Sequence, residues 1–208
     1  QMCIRDRFRS MKVSGVNRRA FFIKVVMLFV FCISAFTNIF ANPTLSDTVD
    51  VHKYTIQLNL SNLSNHTLYG HTIIECSPMI DSLEYLPFEL WGMTIDSVAY
   101  NSQSIPLSQV QYDGLNIRVP IVGQLLTTET AFVEIVYHGV PQIDPTGWGG
   151  FYFEGPIAYN LGVGFGADPH NLGKTWFPCV DDFIDKASYD YYIITSQGNM
   201  AVCSGVLI

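Results

Sequence analysis

The sequence predicts an all-β fold built from antiparallel strands, and three observations lead to that prediction. Residues 52–60 alternate strictly between apolar and polar side chains, and residues 131–138 repeat this period of two. Short apolar runs between these segments are bounded by Gly, Pro, Asn or Asp, the residues that favour turns. No amphipathic helical pattern of useful length follows Asn42. Short, regularly spaced strands of this kind are typical of a sandwich or a barrel-like sheet.

The amino-terminal part has the layout of a secretory leader. Basic residues precede an apolar stretch at residues 25–36, and the small residue Ala41 stands before a polar flank. We therefore expect residues 11–41 to be a signal peptide. An uncleaved membrane anchor is the alternative, although a membrane span usually needs about 20 apolar residues. Both readings predict export to a periplasmic, extracellular or membrane-anchored location, and contact with a membrane is expected only if the leader stays uncleaved.

Residues 1–10 fit neither part of that leader, so we expect them to be non-native upstream translation, with Met11 as the natural start. The folded domain is then predicted over residues 42–208, and it is expected to be incomplete at its carboxyl end.

The charge of that domain argues against nucleic-acid binding. After Asn42 only four basic residues remain against seventeen acidic ones, a net charge near −13. Binding to nucleic acid depends on neutralising phosphates with Lys and Arg, so a surface of this sign repels the backbone. A cationic or neutral partner is easier to accommodate.

The first two strands are predicted as a hairpin. In residues 52–60 the side chains of Tyr54, Ile56 and Leu58 share one face, which indicates a half-buried strand. Polar residues 61–66 favour a turn, and residues 68–76 resume the extended pattern. Gly70 interrupts this second strand, where we expect a bulge or a close approach of backbone.

Further strands are predicted along the rest of the chain, with one irregular stretch between them. Residues 139–166 are rich in Gly, Pro and aromatic side chains, so extended irregular structure is expected there. Strand-like alternation returns afterwards. The remaining predicted strands are residues 83–90, 93–100, 115–119, 131–138, 189–195 and 200–203.

Neither cysteines nor histidines form a motif for metal binding or nucleophilic catalysis. After Asn42 the cysteines are Cys76, Cys179 and Cys203, and their spacing lacks any ligand pair. Three buried free thiols are favoured over one disulfide. No two histidines have the helical spacing with an intervening Glu that a zinc peptidase needs. The sequence therefore predicts no catalytic residue and no metal ligand in this chain.

Residues 176–190 join an aromatic and proline anchor to an acidic turn and then to a strand. An ion pair between Asp181 and Lys186 is expected to hold the turn, and Tyr189, Tyr191 and Ile193 are expected to form one strand face. The residues alone indicate structural scaffolding.

The same segment resembles the Phe-Pro-Cys-x-Asp-x-x-x-x-Lys-Ala-x-Tyr signature of aminopeptidase N-type zinc peptidases, at the end of their amino-terminal domain. Residues 50–58 are similar to the Asp-Val-x-x-Tyr-x-Leu-x-Leu opening of that domain, and residues 137–139 are similar to its Tyr-x-Gly. The resemblance runs from Asp50 to Ile208.

The resemblance implies a saddle-like β domain that packs over a thermolysin-like catalytic domain and closes one side of the substrate cavity. It implies zinc in the full-length enzyme, held by residues outside this chain, and a peptide substrate bound through that catalytic domain. Asp168 is the candidate contact for the substrate's α-amine. Structural roles are implied for Tyr54, Gly70, Pro178, Cys179, Asp181, Lys186 and Ala187.

Two other functions stay open at this point. The strands, the acidity and the aromatic loops equally allow a non-enzymatic exported β-sandwich that binds a partner. A relative with the same fold that has lost its zinc ligands is the second alternative.

Overall fold

Strands account for about half of the residues that the computed structural model describes, which are residues 45–166, 168 and 170–207. Short 3-10 helices lie at Leu45–Asp47, Leu63–Asn65, Leu107–Gln109 and Gly173–Thr175. The strands are β1 (Val49–Leu60), β2 (Leu68–Pro78), β3 (Tyr85–Glu89), β4 (Thr94–Tyr100), β5 (Gln103–Ile105), β6 (Gln111–Tyr112), β7 (Asn116–Pro120), β8 (Ala131–Gly139), β9 (Gly149–Glu154), β10 (Ile157–Gly164) and β11 (Ser188–Thr195). The prediction of an all-β fold is confirmed.

The largest sheet has six strands in the order β11-β1-β2-β8-β4-β5. Strands β1 and β2 form the predicted antiparallel hairpin, with Ile56 opposite Thr72. The sheet is not wholly antiparallel, because β11 pairs with β1 in parallel, Lys53 opposite Ser188. Parallel neighbours need a long crossover, and here almost the whole domain separates the two strands in sequence. The last strand, β11, thus pairs with the first strand, β1.

Two smaller sheets complete the architecture. Strands β3, β7 and β6 form a three-stranded sheet in the order β3-β7-β6, and β9 and β10 form a two-stranded one. An isolated antiparallel bridge joins Glu89, the last residue of β3, to Cys179. The segment that precedes β11 is thereby tied to the three-stranded sheet.

The hydrophobic core lies on the faces that the alternation predicts. Tyr54, Ile56 and Leu58 of β1 are all buried, while Gln57 and Asn59, on either side of Leu58, are exposed. Strand β8 alternates in the same way and contributes Val133 to the core. Burial of one such side chain is worth about 1.5–3 kcal/mol, so the period of two in the sequence decides which face of the sheet meets the core.

Two predictions of local structure are wrong. The Gly- and aromatic-rich stretch contains the β9–β10 hairpin, in which the rings of Tyr152 and Tyr159 stack with centroids 5.2 Å apart. Glycines with positive φ, such as Gly150 at +91°, hide the alternation of this hairpin without preventing its pairing. Conversely, residues 200–203 form no strand, and the Met200 side chain is 84% exposed. Alternation alone does not make a strand where no neighbouring strand pairs with it.

The predicted upstream segment and leader, residues 1–10 and 11–41, lie outside the described residues and stay predictions. Within the part of the chain that the structure describes, no helix has both the length and the apolar character needed to cross a membrane.

Candidate functional site

The segment between β10 and β11, residues 171–187, runs across the core and is the centre of the candidate site. Trp176, Phe177, Pro178, Cys179 and Val180 are all buried. The Cys179 amide donates to the carbonyl oxygen of Glu89 at 3.0 Å, and the Glu89 amide donates back to the Cys179 carbonyl at 2.8 Å. Burial raises the pKa of the Cys179 thiol well above its usual value. This thiol is therefore a packing group, and it is poorly suited to act as a nucleophile.

Tyr54 fixes the middle of that segment from strand β1. Its hydroxyl oxygen accepts a hydrogen bond from the Val180 amide at 3.0 Å. The ring meets Phe177 edge-on at 5.3 Å and stacks on Tyr189 at 5.2 Å. Burial raises the pKa of the Tyr54 hydroxyl well above its usual value. Tyr54, which resembles the Tyr of the family's opening motif, thus directly contacts residues 171–187, which contain most of the family's signature.

Tyr137 of β8, two strands away from β1 in the same sheet, also contacts the segment. Its hydroxyl donates to the Trp176 carbonyl oxygen at 2.9 Å and lies 3.3 Å from the Thr72 hydroxyl. A Cβ atom at Gly70 would lie only 2.2 Å from the Tyr137 ring. Gly70 therefore permits a close approach, but the approaching group is an aromatic side chain and not the backbone that the sequence predicts.

A largely buried charge cluster, the Lys174 cluster, consists of Lys174, Glu89 and Asp181. The Lys174 ammonium donates to Glu89 Oε1 at 3.0 Å and lies 3.6 Å from Asp181 Oδ2, and the three side chains are 18%, 14% and 8% exposed. Burial raises the pKa of both carboxyls, although the nearby ammonium opposes that shift. The cluster joins the end of β3 to the turn before Trp176.

The predicted ion pair between Asp181 and Lys186 is wrong. The Asp181 carboxylate turns inward, where it accepts from the Gly173 amide at 3.1 Å, and it pairs with Lys174. Lys186 is exposed and Ala187 is partly buried. The physical reason is that the backbone amides of the Gly173 turn need an acceptor inside the protein, and Asp181 supplies it.

Asp168 is exposed and stands two residues after Gly166 in the sequence. The Gly166 amide donates to the buried carboxylate of Asp144 at 2.6 Å. Close by, the rings of Phe165 and His170 lie with their centroids 6.0 Å apart. The structure thus leaves Asp168 where a ligand from solvent can reach it, two residues after a backbone amide that Asp144 holds.

An open groove of about 730 Å³ lies between β1, the β9–β10 hairpin and the chain that follows β11. Trp176 forms part of its wall, and its indole N–H, a buried donor, has no hydrogen-bond partner in the structure. Other apolar lining residues are Leu58, Phe151, Tyr191 and Ile193. The groove is mainly apolar in its side chains.

The thiols only partly follow the prediction. Cys76, Cys179 and Cys203 are free, and the first two are buried, but Cys203 is exposed. Among the described residues, no three His, Cys, Asp or Glu side chains come together as metal ligands.

Comparison with solved structures identifies the fold. No family model matches the chain, and no curated protein does. An M1 zinc metallopeptidase variant from Deinococcus radiodurans, bound to a Tyr-Ser-Ala substrate, matches 79% of this chain at 19% identity with a TM-score of 0.68. The described domain has the amino-terminal β fold of M1 zinc metallopeptidases.

Further structures agree with this M1-type fold. Another structure of the Deinococcus M1 zinc metallopeptidase matches 78% of the chain with a TM-score of 0.67. Legionella pneumophila aminopeptidase A, in complex with aspartic acid, matches 72% at 18% identity with a TM-score of 0.54. The chain spans about 39% of the Deinococcus protein and 17% of the Legionella protein.

Three residues of this M1-type domain were not predicted. Glu89 and Lys174 are 85 positions apart, and they come together where the later segment pairs with the end of β3. Asp144 stands in an Asp-Pro-Thr-Gly sequence, which indicates a turn but not a buried carboxylate.

Proposed function

We propose that this chain is the substrate-cavity and scaffold domain of an exported zinc metallo-aminopeptidase, an enzyme that removes amino-terminal residues from peptides. The observation that carries the proposal is the match to M1 zinc metallopeptidase structures, one of them with a bound Tyr-Ser-Ala substrate. The contacts of residues 171–187 with the buried Tyr54 and Tyr137 add support, because these residues contain most of the family's signature. A likeness at 19% identity shows the fold, so the activity is our inference.

The chemistry of the zinc ion belongs, in this proposal, to residues outside the described part of the chain. The described residues offer no group of three potential ligands, so they do not fit a zinc ion, and we assign them no step that depends on it. When bound, zinc would polarise the scissile carbonyl and activate a water molecule. The protein would be catalytically incomplete without that second part.

Asp168 is the residue of this chain that we assign to the substrate. Its carboxylate is exposed and can accept charge-assisted hydrogen bonds from the α-ammonium group of a peptide. The acidic surface of the domain, with a net charge near −13 after Asn42, attracts the same group. The role of Asp168 is to hold the amino terminus so that only the first peptide bond is presented.

The coding sequence beyond residue 208 tests the enzyme assignment. An aminopeptidase of the proposed type should continue with Gly-x-Met-Glu-Asn and with His-Glu-x-x-His followed by a distal Glu. If the first motif remained and the zinc ligands were lost, the chain would be a scaffold with the same fold. Absence of all of these motifs would favour a non-enzymatic exported β-sandwich and contradict the proposal.

The substitution Asp168→Asn in the full-length enzyme tests the role of that residue. Loss of a charge-assisted hydrogen bond should raise KM for an aminoacyl amide by about tenfold to a hundredfold. Glu84→Gln is the matched control, since it removes an exposed carboxylate elsewhere on the domain. Equal KM values for the two variants would remove Asp168 from the site.

Export is tested by fusing residues 11–41 to a reporter enzyme that is active only outside the cytoplasm. We expect activity from this fusion and none when residues 25–36 are deleted. A reporter that stays inactive with the intact leader would contradict export.

A further inference from the structure

A buried carboxylate contacts Gly166, two residues before Asp168 in the sequence. Asp144, in the loop between β8 and β9, is only 2% exposed. Its carboxylate accepts hydrogen bonds from the Thr146 amide at 2.7 Å, from the Thr146 hydroxyl at 2.5 Å and from the Gly166 amide at 2.6 Å. Two of these donors lie in its own loop, and the third lies across the β9–β10 hairpin. The carboxylate therefore joins two segments that are more than twenty positions apart in sequence.

Backbone hydrogen bonds also connect the loop of Asp144 to the β9–β10 hairpin. The Asp144 amide donates to the Gly149 carbonyl at 3.0 Å, and the Gly147 amide donates back to the Asp144 carbonyl at 2.8 Å. On the far side, the Phe165 amide donates to the Trp148 carbonyl at 3.3 Å. The backbone of Asp144 is thus fixed at the base of the hairpin independently of its side-chain contact with Gly166.

The fit between Asp144 and the turn is close. A Cβ atom at Gly166 would lie 3.0 Å and 3.1 Å from the two carboxylate oxygens, and one at Gly164 would lie 2.8 Å from the nearer oxygen. Gly166 does not have the positive φ that would itself require glycine. Its lack of a side chain is therefore explained by the approach of the carboxylate.

The charges around Asp144 favour its ionised form. The hydrogen bonds from Thr146, above all that of its hydroxyl, and the one from Gly166 hold the pKa of Asp144 below its usual value, although burial opposes that shift. The charge interaction with His170 lowers this pKa a little further. Asp144 is consequently an anion at neutral pH, and an anion is the stronger acceptor for an amide.

We infer that Asp144 is a positioning residue, whose buried carboxylate holds the backbone at Gly166 and thereby sets the position of Asp168 two residues later. The consequence for the substrate rests on the function proposed for Asp168. The contact between Asp144 and Gly166 does not depend on that function, because it follows from the hydrogen bonds of Asp144 alone. Asp144 itself touches neither the substrate nor the reacting atoms.

Amide exchange and pH titration by NMR test this inference on the chain itself. The variant is Asp144→Asn, which keeps the side-chain size and removes the charge. The matched control is Asp113→Asn, since Asp113 also accepts from backbone amides in a turn, those of Leu115 at 2.9 Å and Asn116 at 2.7 Å. The amide of Thr72, in the buried part of β2, reports unfolding of the whole domain.

In Asp144→Asn we expect the Gly166 amide to exchange about tenfold to a hundredfold faster, because a hydrogen bond to a charged acceptor is lost. Exchange at Thr72 should stay unchanged, and Asp113→Asn should leave Gly166 as in the wild type. The wild-type Gly166 amide shift should also follow an acid titration with its midpoint below the usual Asp range, and this titration should vanish in Asp144→Asn.

A second variant, Gly166→Ala, displaces the carboxylate without removing its charge and should move the same acid titration upward. Unchanged Gly166 exchange in Asp144→Asn, or an equal rise at Thr72, would overturn the positioning role. Failure of the proposed function is separate: it would appear as an unchanged KM in Asp168→Asn while the Gly166 results stand.

Discussion

Replacement of Lys174 by Met should destabilise the chain strongly, because it removes the only cation of the Lys174 cluster and leaves two largely buried carboxylates side by side. The ammonium lies 3.0 Å from Glu89 and 3.6 Å from Asp181. At an effective dielectric constant of about 20, each contact attracts by about 5 kcal/mol, and the desolvation of Lys174 cancels part of this. We expect a net loss of about 2–4 kcal/mol in the free energy of unfolding at pH 7.5.

The loss should depend on pH in a defined direction. Burial already raises the pKa of both carboxyls, and removal of the ammonium raises these values further. A carboxyl with a raised folded-state pKa costs no stability below its unfolded pKa, near 4, and costs more as the pH rises through its folded pKa. The destabilisation by Lys174→Met should therefore shrink at about pH 4.5 and grow toward neutral pH.

Urea unfolding followed by circular dichroism at the two pH values measures this effect. Lys53→Met is the matched control, since Lys53 pairs with Asp190 at 2.6 Å but both side chains are more than a third exposed. Adding Glu89→Gln to Lys174→Met should recover part of the lost stability. A loss no larger than that of Lys53→Met, or one that grows on acidification, would refute the assignment of the Lys174 cluster.

Two further predictions concern the packing at Gly70 and Tyr54, and a third concerns the thiols. Gly70→Ala should cost about 1–3 kcal/mol in urea unfolding, since its Cβ would lie 2.2 Å from the Tyr137 ring, and a neutral result would contradict that contact. Tyr54→Phe should cost about 1–3 kcal/mol, because a buried amide loses its acceptor. Alkylation followed by peptide mapping should label Cys203 in the native protein but spare Cys76, whose pKa burial raises to about 12.

The sequence predicts the sheet better than it predicts the charges. The period of two in β1 and β8 reveals the buried faces, because an alternating strand has one face against a core. At Gly70 the sequence predicts a bulge or a close approach of backbone, since a glycine inside a strand otherwise costs stability. It does not predict the side chain of Tyr137 as the approaching group, because that residue lies 67 positions away in the sequence.

Pairings between distant segments explain what could not be predicted. Asp181 was assigned to Lys186, five positions away, whereas the structure gives it Lys174. The pairing depends on the orientation of the Asp181 carboxylate. That orientation is set by the backbone amide of Gly173, which lies near Asp181 only in the folded chain. Strand β11 likewise pairs with β1 in parallel, a register that no local pattern contains.

The central claim is that this domain serves a zinc aminopeptidase, and activity of the native protein tests it most directly. An antibody raised against residues 45–207 would capture the protein from its source, and hydrolysis of leucine amide would be compared with that of N-acetyl-leucine amide. We expect cleavage of leucine amide, whose α-amine is free, and none of N-acetyl-leucine amide. Activity should be lost when a chelator removes zinc. Captured protein that contains no zinc and cleaves neither substrate would contradict it.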